Sequence, residues 1–282
     1  MWLAKSKLDL RARVLAAPHP IILVPTMGAL HPGHAALISL AREKAGPTGT
    51  VIVSIFINPI QFDRPEDLQN YPRTLEADLA VCNDHGADGV FLPEAHEMYA
   101  PDRSITILEG CLSRTLCGAS RPGHFDGVCT VVMKLFALTQ CHFAVFGEKD
   151  FQQLAIIRRM IRDLDLAVEI IPHPTLREPD GLAMSSRNAR LTPEHRADAP
   201  RIHEALTTAA TGRTPSAIRS TAHHLLSESP FGKIDYLTLV DFETLAPADS
   251  LLRPTALACA IFYGNVRLID HVAIPAFPET PS

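Results

Sequence analysis

The sequence predicts an α/β fold in which a parallel sheet is wrapped by helices and followed by a smaller α+β domain. Three observations lead there. Apolar runs of strand length recur at residues 21–24, 51–57, 89–92 and 142–146, with a further one at 168–171, and runs without polar alternation suit strands buried on both faces. Helical patterns at 35–44, 74–85, 128–138 and 150–164 lie between them, an alternation that calls for parallel strands joined by crossovers. Beyond residue 186 the texture changes, with helical stretches at 199–210 and 216–227 followed by strand-like runs at 235–240, 256–262 and 267–269.

The elements justify themselves in order. Residues 21–24 and 51–57 read as Rossmann-like strands, each ending in a polar cluster, and in such sheets ligands collect beyond the carboxyl ends of the strands. In the helix at 150–164, Leu154, Ile157 and Ile161 share one face while Arg158, Arg159 and Arg162 turn away. Residues 172–188 carry three prolines and one glycine, which suits a long connection leaving the sheet. The expected division is 1–185 and 186–282, with the proline-bearing tail a loose end.

Composition excludes several classes of function. A chain of 282 residues with 46% hydrophobic and 20% charged residues is an ordinary globular protein, neither disordered nor a small disulfide scaffold. Its net charge of −5 and its lack of a Lys or Arg run argue against nucleic acid as a partner. No apolar run reaches the roughly 18 residues of a membrane span. The first fifteen residues interleave Lys5, Lys7, Asp9, Arg11 and Arg13 with apolar ones, unlike a secretory signal, so the expected location is the cytoplasm. The six cysteines form no CxxC pair and are expected to be reduced core thiols.

Five segments carry polar groups suited to chemistry. After the first strand comes PTMGALHPGH, residues 25–34. Gly28 lets backbone amides approach a ligand, and the helix start offers N–H donors and a positive dipole to a phosphate. His31 and His34, three apart, can face the same anion, or they can simply cap the helix. With no third His or Cys nearby they make a poor zinc set, and no resident metal is expected. After the second strand, Asn58 and Gln61 offer amide donors and acceptors to a small substrate bearing hydroxyl and carboxylate groups. Tyr71 and Arg73 precede a helix expected to be mainly structural. In the glycine-bearing loop 118–127, Arg121 can meet a carboxylate or phosphate. After the strand ending at Phe146, Lys149 is a cation placed for polyphosphate charge. Asp150 can cap the next helix or hold a ribose hydroxyl, and Gln153 lies one turn on. Finally, Met184-Ser185-Ser186-Arg187-Asn188 joins hydroxyls to a guanidinium in a connection able to close over a triphosphate.

Together the segments PTMGALHPGH, VSIFINPIQF, YPRTLEADL, CGASRPGHFDGV, FGEKDFQQLAIIRRM, REPDGLAMSSRN and DYLTLVDFETL resemble the pantothenate synthetase (pantoate–β-alanine ligase) family over nearly the whole chain. HxGH by itself indicates only the wider nucleotidylyltransferase-like superfamily. The order of NPxQF, GEKDxQQ and GLAMSSRN is far more specific. The resemblance implies a Rossmann-like ATP- and pantoate-binding domain at 1–185, a C-terminal α+β lid domain at 186–282 and a homodimer. It implies that Met27, Gly28, Ala29, Leu30, His31, Pro32, Gly33 and His34 line the ATP site, with His34 the catalytic histidine, His31 beside it and Lys149 a third catalytic group. Gly147, Glu148, Lys149 and Asp150 would bind ATP, Leu176 would touch the adenine region, and Met184, Ser185, Ser186 and Arg187 would complete the nucleotide pocket. Gln61 would contact pantoate and β-alanine, Gln153 would hold pantoate, and Asn58, Tyr71 and Arg121 are further candidates.

The implied reaction joins (R)-pantoate to β-alanine through a pantoyl adenylate, with Mg²⁺ accompanying ATP and loops around Arg121 and Ser186 closing over the intermediate. A nucleotidylyltransferase making a dinucleotide is the rival enzyme, set apart by Gln61 and Gln153. A nucleotide-binding regulator that has lost catalysis is the other, opposed by intact His34, Lys149 and Ser185. The chain departs from the family pattern at Ile57, Cys129, Val266 and His271, none of them a proposed catalytic group.

Overall fold

The computed structural model describes residues 1–277. The chain forms two compact units, the first comprising Met1–Gly110, Arg121–Glu148 and Gln153–Pro174, the second Cys111–Ser120, Lys149–Gln152 and the chain from Thr175 onward. The expected boundary at 185/186 falls inside the long segment of the second unit.

The first unit holds a six-stranded, wholly parallel sheet. Its strands are β1 (Trp2–Ala4), β2 (Ile21–Thr26), β3 (Thr50–Ile55), β4 (Gly89–Phe91), β5 (Phe143–Gly147) and β6 (Glu169–His173), in the spatial order β1-β4-β3-β2-β5-β6. The chain winds outward from β2 in both directions, the Rossmann-like arrangement expected, and the order reverses between β2 and β5. Every residue of β3 and five of the six in β2 are buried, which explains their unbroken apolar runs. The helix Pro32–Ala45 covers these strands, with Leu37, Ile38 and Ala41 joining Ile22, Val24, Val51, Val53, Val90 and Val145 in one core cluster. Each large aliphatic side chain buried there contributes about 1.5–3 kcal/mol.

Strand β1 did not announce itself in the sequence, because three residues are too few to show a period. It pairs in parallel with β4, Trp2 opposite Gly89. A Cβ on Gly89 would come within 2.1 Å of the Trp2 ring, so glycine is what admits the indole.

The second unit contains an antiparallel sheet of β7 (Gly232–Asp241), β8 (Thr255–Tyr263) and β9 (Val266–Ile274), with β8 in the middle. The β8–β9 hairpin closes at Tyr263↔Val266, where Gly264 takes φ +57°, a conformation suited to a two-residue turn. The helices Arg201–Ala209 and Pro215–Ser227 pack Ile202, Leu206, Ile218 and Leu226 against Leu239, Leu257 and Ile261. Of the departures from the family pattern, Val266 is buried in this core and His271 stacks on Phe151 with ring centroids 4.8 Å apart. All six cysteines are free thiols and five are buried. Burial pushes Cys82 and Cys129 up to about 12, which keeps them in the unreactive protonated form.

Candidate functional site

In the first unit, β2 runs into the loop carrying Met27 to Leu30, and the next helix starts with His31 as its N-cap. Two backbone features make this turn possible: Gly28 at φ +84° and Ala29 at φ +51°. The first costs nothing for glycine, and the second is a strained position for alanine. Thr26 Oγ1 donates to the Ser54 carbonyl at 2.7 Å and accepts from the Gly28 N–H at 3.3 Å. Asp78, 2% exposed, then takes the Ala29 N–H at 3.0 Å, the Leu30 N–H at 2.8 Å and the Thr74 hydroxyl at 3.0 Å. A Cβ on Gly28 would lie 3.0 Å from that carboxylate, so the close approach also needs glycine.

The two histidines cap the helix through one ring nitrogen each. His31 Nδ1 accepts from the Gly33 N–H at 3.1 Å, and His34 Nδ1 accepts from the His31 N–H at 3.3 Å, a reciprocal capping box built from imidazoles. A ring nitrogen that accepts a backbone N–H carries no proton, so in each neutral ring the hydrogen sits on Nε2. Both rings therefore hold an Nε2–H donor at a helix N-terminus, where the dipole favours an anion. Their centroids lie 4.1 Å apart.

The same unit brings Met27, Asn58, Gln61 and Arg121 into one hydrogen-bonded group. Asn58, 1% exposed, donates to Gln61 Oε1 at 2.9 Å and to the Gly127 carbonyl at 3.1 Å, and Gln61 Nε2 points at Met27 Sδ, 3.2 Å away. The Gln61 carbonyl accepts from His124 Nδ1 at 2.7 Å and from Arg121 at 3.3 Å. Arg121 gives its Nε–H to Asp63 at 2.8 Å. Burial raises the Asp63 carboxyl, but the Arg121 hydrogen bond and charge outweigh this and hold it below the usual range. Arg121 is thus committed to protein acceptors and braces the turn Pro59–Gln61. Tyr71 is buried with its ring edge-on to Phe62. Gly147 ends β5, and a Cβ added there would meet nothing within 4 Å. Glu148 and Gln153 are half-buried.

In the second unit Lys149 keeps some exposed surface, but its ammonium lies deep. Burial lowers its pKa, Asp150 opposes that, Arg187 adds to it, and Asp270 again opposes it. Asp150 itself is exposed. Gln152 is structural, donating to the carbonyls of Leu112 at 2.8 Å and Thr115 at 2.7 Å. Residues 176–184 form a tight hairpin rather than an open connection. The Met184 N–H donates to Leu176 O at 3.0 Å, and Glu178 and Leu182 pair at 2.8 Å. Arg177 anchors the hairpin with a two-pronged ion pair to buried Asp270, at 2.6 and 3.0 Å. Beyond it Ser185 Oγ accepts the Arg187 N–H at 3.2 Å, and Asn188 ties the loop to Glu178 and Ala183. Leu176 remains 37% exposed. Among the described residues no group of three or more His, Cys, Asp or Glu is gathered closely enough to hold a metal ion. No helix among them is long and apolar enough to cross a membrane.

Sequence reasoning passed over Asp78, assigning its helix a mainly structural part. The legible signal was its position four residues before Cys82, on the core-facing side of the helix Leu75–Asp84. A carboxylate there needs donors, and the Met27–Leu30 loop supplies them.

Comparison with known proteins identifies the family of the chain. The family model described as pantoate-beta-alanine ligase matches residues 4–273. The pantothenate synthetase of Akkermansia muciniphila is 50% identical over 276 residues, covering 95% of this chain and 98% of that protein. The one from Acidothermus cellulolyticus is 48% identical over 272 residues, covering 94% and 88%. The crystal structure of pantothenate synthetase from Thermus thermophilus superposes with a TM-score of 0.92 at 41% identity, covering 98% of this chain and all of that one. A pantoate-beta-alanine ligase from Francisella tularensis, solved with beta-gamma ATP and beta-alanine, gives 0.81 at 32% identity, covering 96% and 97%. The histidine pair, the amide cluster and the loop from Ser185 to Asn188 thus lie in a chain that belongs to the pantoate–β-alanine ligase family.

Proposed function

We propose that this chain condenses (R)-pantoate with β-alanine at the expense of ATP, giving pantothenate, AMP and pyrophosphate. The observation that carries the reading is the pair of Nε2–H donors held at a helix start in the same unit as the Asn58–Gln61 amides. Family membership and the ATP and β-alanine found with the Francisella relative support it.

The chemistry needs no covalent enzyme nucleophile. A carboxylate oxygen of pantoate attacks the α-phosphorus, the bond to the bridging oxygen breaks, and pyrophosphate leaves with its electrons. The amine of β-alanine then attacks the acyl carbon of pantoyl adenylate, loses a proton and expels AMP. Charge builds first on the transferring phosphate, where His31 and His34 donate hydrogen bonds, and then on the leaving group, which Lys149 and Arg187 offset. Gln61 and Gln153 hold the attacking acid in line. Gly28, Ala29, Leu30, Gly147, Leu176 and Ser185 serve the nucleotide. Mg²⁺ would arrive with ATP as part of that substrate and would offset phosphate charge. The mixed anhydride must be kept from water. The hairpin 176–184 is fastened inside its own unit by the Arg177–Asp270 ion pair. The family reading also makes the enzyme a cytoplasmic homodimer.

The test is exchange of labelled pyrophosphate into ATP. It should require pantoate and not β-alanine, and AMP should accumulate only when both acids are present. Exchange without pantoate would overturn the reading.

Asp78 gives a prediction at the same site. In Asp78→Asn one oxygen becomes an NH₂ that faces a backbone N–H of Ala29 or Leu30. Stability should fall by about 1–3 kcal/mol, and the KM for ATP should rise about tenfold as the loop loses its shape. A thermal melt and steady-state assays check both. An unchanged KM with a lowered melt would show that the loop keeps its form without the carboxylate.

A further inference from the structure

We propose that Tyr99 is a positioning residue which, together with the Gly127 carbonyl, clamps the Asn58 amide and so fixes which way round the Gln61 side-chain amide lies, so that Gln61 meets the acid substrate as a donor. The inference rests on the reading that Gln61 contacts pantoate. It starts from a group whose polarity cannot be reversed. The Gly127 carbonyl only accepts, and Asn58 Nδ2 lies 3.1 Å from it, so the NH₂ edge of Asn58 must face that way. Asn58 Oδ1 then faces the Tyr99 hydroxyl at 2.7 Å, and Tyr99 must donate. The other Asn58 hydrogen goes to Gln61 at 2.9 Å, which makes the receiving atom Oε1.

Gln61 Nε2 is left pointing toward Met27 Sδ at 3.2 Å, a weak acceptor that takes one hydrogen. The second hydrogen remains for a ligand oxygen. Flipping either amide would press carbonyl against carbonyl, or N–H against N–H, at sites only 1% and 8% exposed, where an unmatched polar group is costly. An amide that could serve as donor or acceptor is thereby restricted to donating, which suits a carboxylate or hydroxyl oxygen.

The surroundings hold the relay in place. A Cβ on Gly127 would come within 2.5 Å of the Ile60 carbonyl and 2.8 Å of Gln61 Cα, so this helix approaches the turn as only glycine allows. The Tyr99 ring packs at 6.1 Å from Phe56, with the Arg103 and Lys134 cations 5.4 and 5.7 Å from its centroid.

Tyr99→Phe tests the proposal, because it keeps the ring and removes the hydroxyl. In pyrophosphate exchange the KM for pantoate should rise about tenfold while that for ATP stays within about twofold. A purely structural tyrosine would lower the melting temperature and leave the pantoate KM where it was, which overturns the relay. Wild-type enzyme lacking pantoate-dependent exchange would overturn the functional reading and the relay together. Wild-type exchange with an unchanged Tyr99→Phe overturns the relay alone. If Tyr99→Phe does not fold, Asn58→Asp decides. Its carboxylate has no hydrogen for Gln61 Oε1, so Gln61 must turn its NH₂ inward and show its carbonyl to the substrate. The pantoate KM should then rise further than in Asn58→Ala, with the ATP KM as the control for added charge. An equal or smaller rise overturns the relay.

Discussion

Replacing His34 with alanine is expected to abolish adenylate formation, lowering pyrophosphate exchange by a factor of about 10³. The size follows from where the side chain stands. His34 fills the N3 position of the helix Pro32–Ala45 and accepts the His31 N–H on Nδ1, which sets the proton on Nε2 as a donor that needs no rearrangement when charge develops. The same substitution removes half of a capping box, at a cost of about 0.5–2 kcal/mol, too little to unfold the domain. Chemistry and capping can be separated, because glutamine is a normal N3 partner in such a box. His34→Gln should recover the melting temperature of the wild type without recovering the rate. Near-normal turnover in His34→Ala would remove the proposed role.

Lys149→Met should have the next largest effect, about 10²–10³ in the rate of adenylate formation, with little change in fold. The lysine lies in the turn Glu148–Asp150, where burial, with Arg187 in support, brings its pKa below the ordinary 10.5. A lowered amine pKa means that the charged form is lost at a lower pH than usual. Exchange should therefore decline on the alkaline side before pH 10.5 is reached, as Lys149 gives up its proton. Lys149→Arg should move that decline to higher pH, since guanidinium holds its proton. A pH–rate profile of both variants checks the sign. An alkaline limb that survives unchanged in Lys149→Met would belong to another group.

Much of the first unit was legible because its strands are buried on both faces. Runs such as Ile21–Thr26 and Thr50–Ile55 need no partner to be recognised, and the polar clusters after them follow from the geometry of a parallel sheet. The histidine pair could be read two ways, as ligand donors or as helix caps. The structure makes them caps through Nδ1, and that capping is what puts the proton on Nε2. The prolines of 172–188 point to a long connection, yet its residues 176–184 form a hairpin. That was not legible because the residue that fastens it, Asp270, lies 93 positions from Arg177 and no local pattern links them.

Sequence alone determined the residue types and their order: an imidazole pair at a helix start, amides past the second apolar run, a lysine past the fourth, hydroxyls and a guanidinium beyond. These are local facts, carried by spacing and by the chemistry of single side chains. Tertiary structure decided the direction in which each group works. The Asp78 clamp on the Met27–Leu30 loop and the Tyr99–Asn58–Gln61 relay join residues 41 to 49 positions apart, and burial lowers Lys149. Hydrogen-bond polarity and desolvation depend on neighbours in space, so they exist only once the chain has folded.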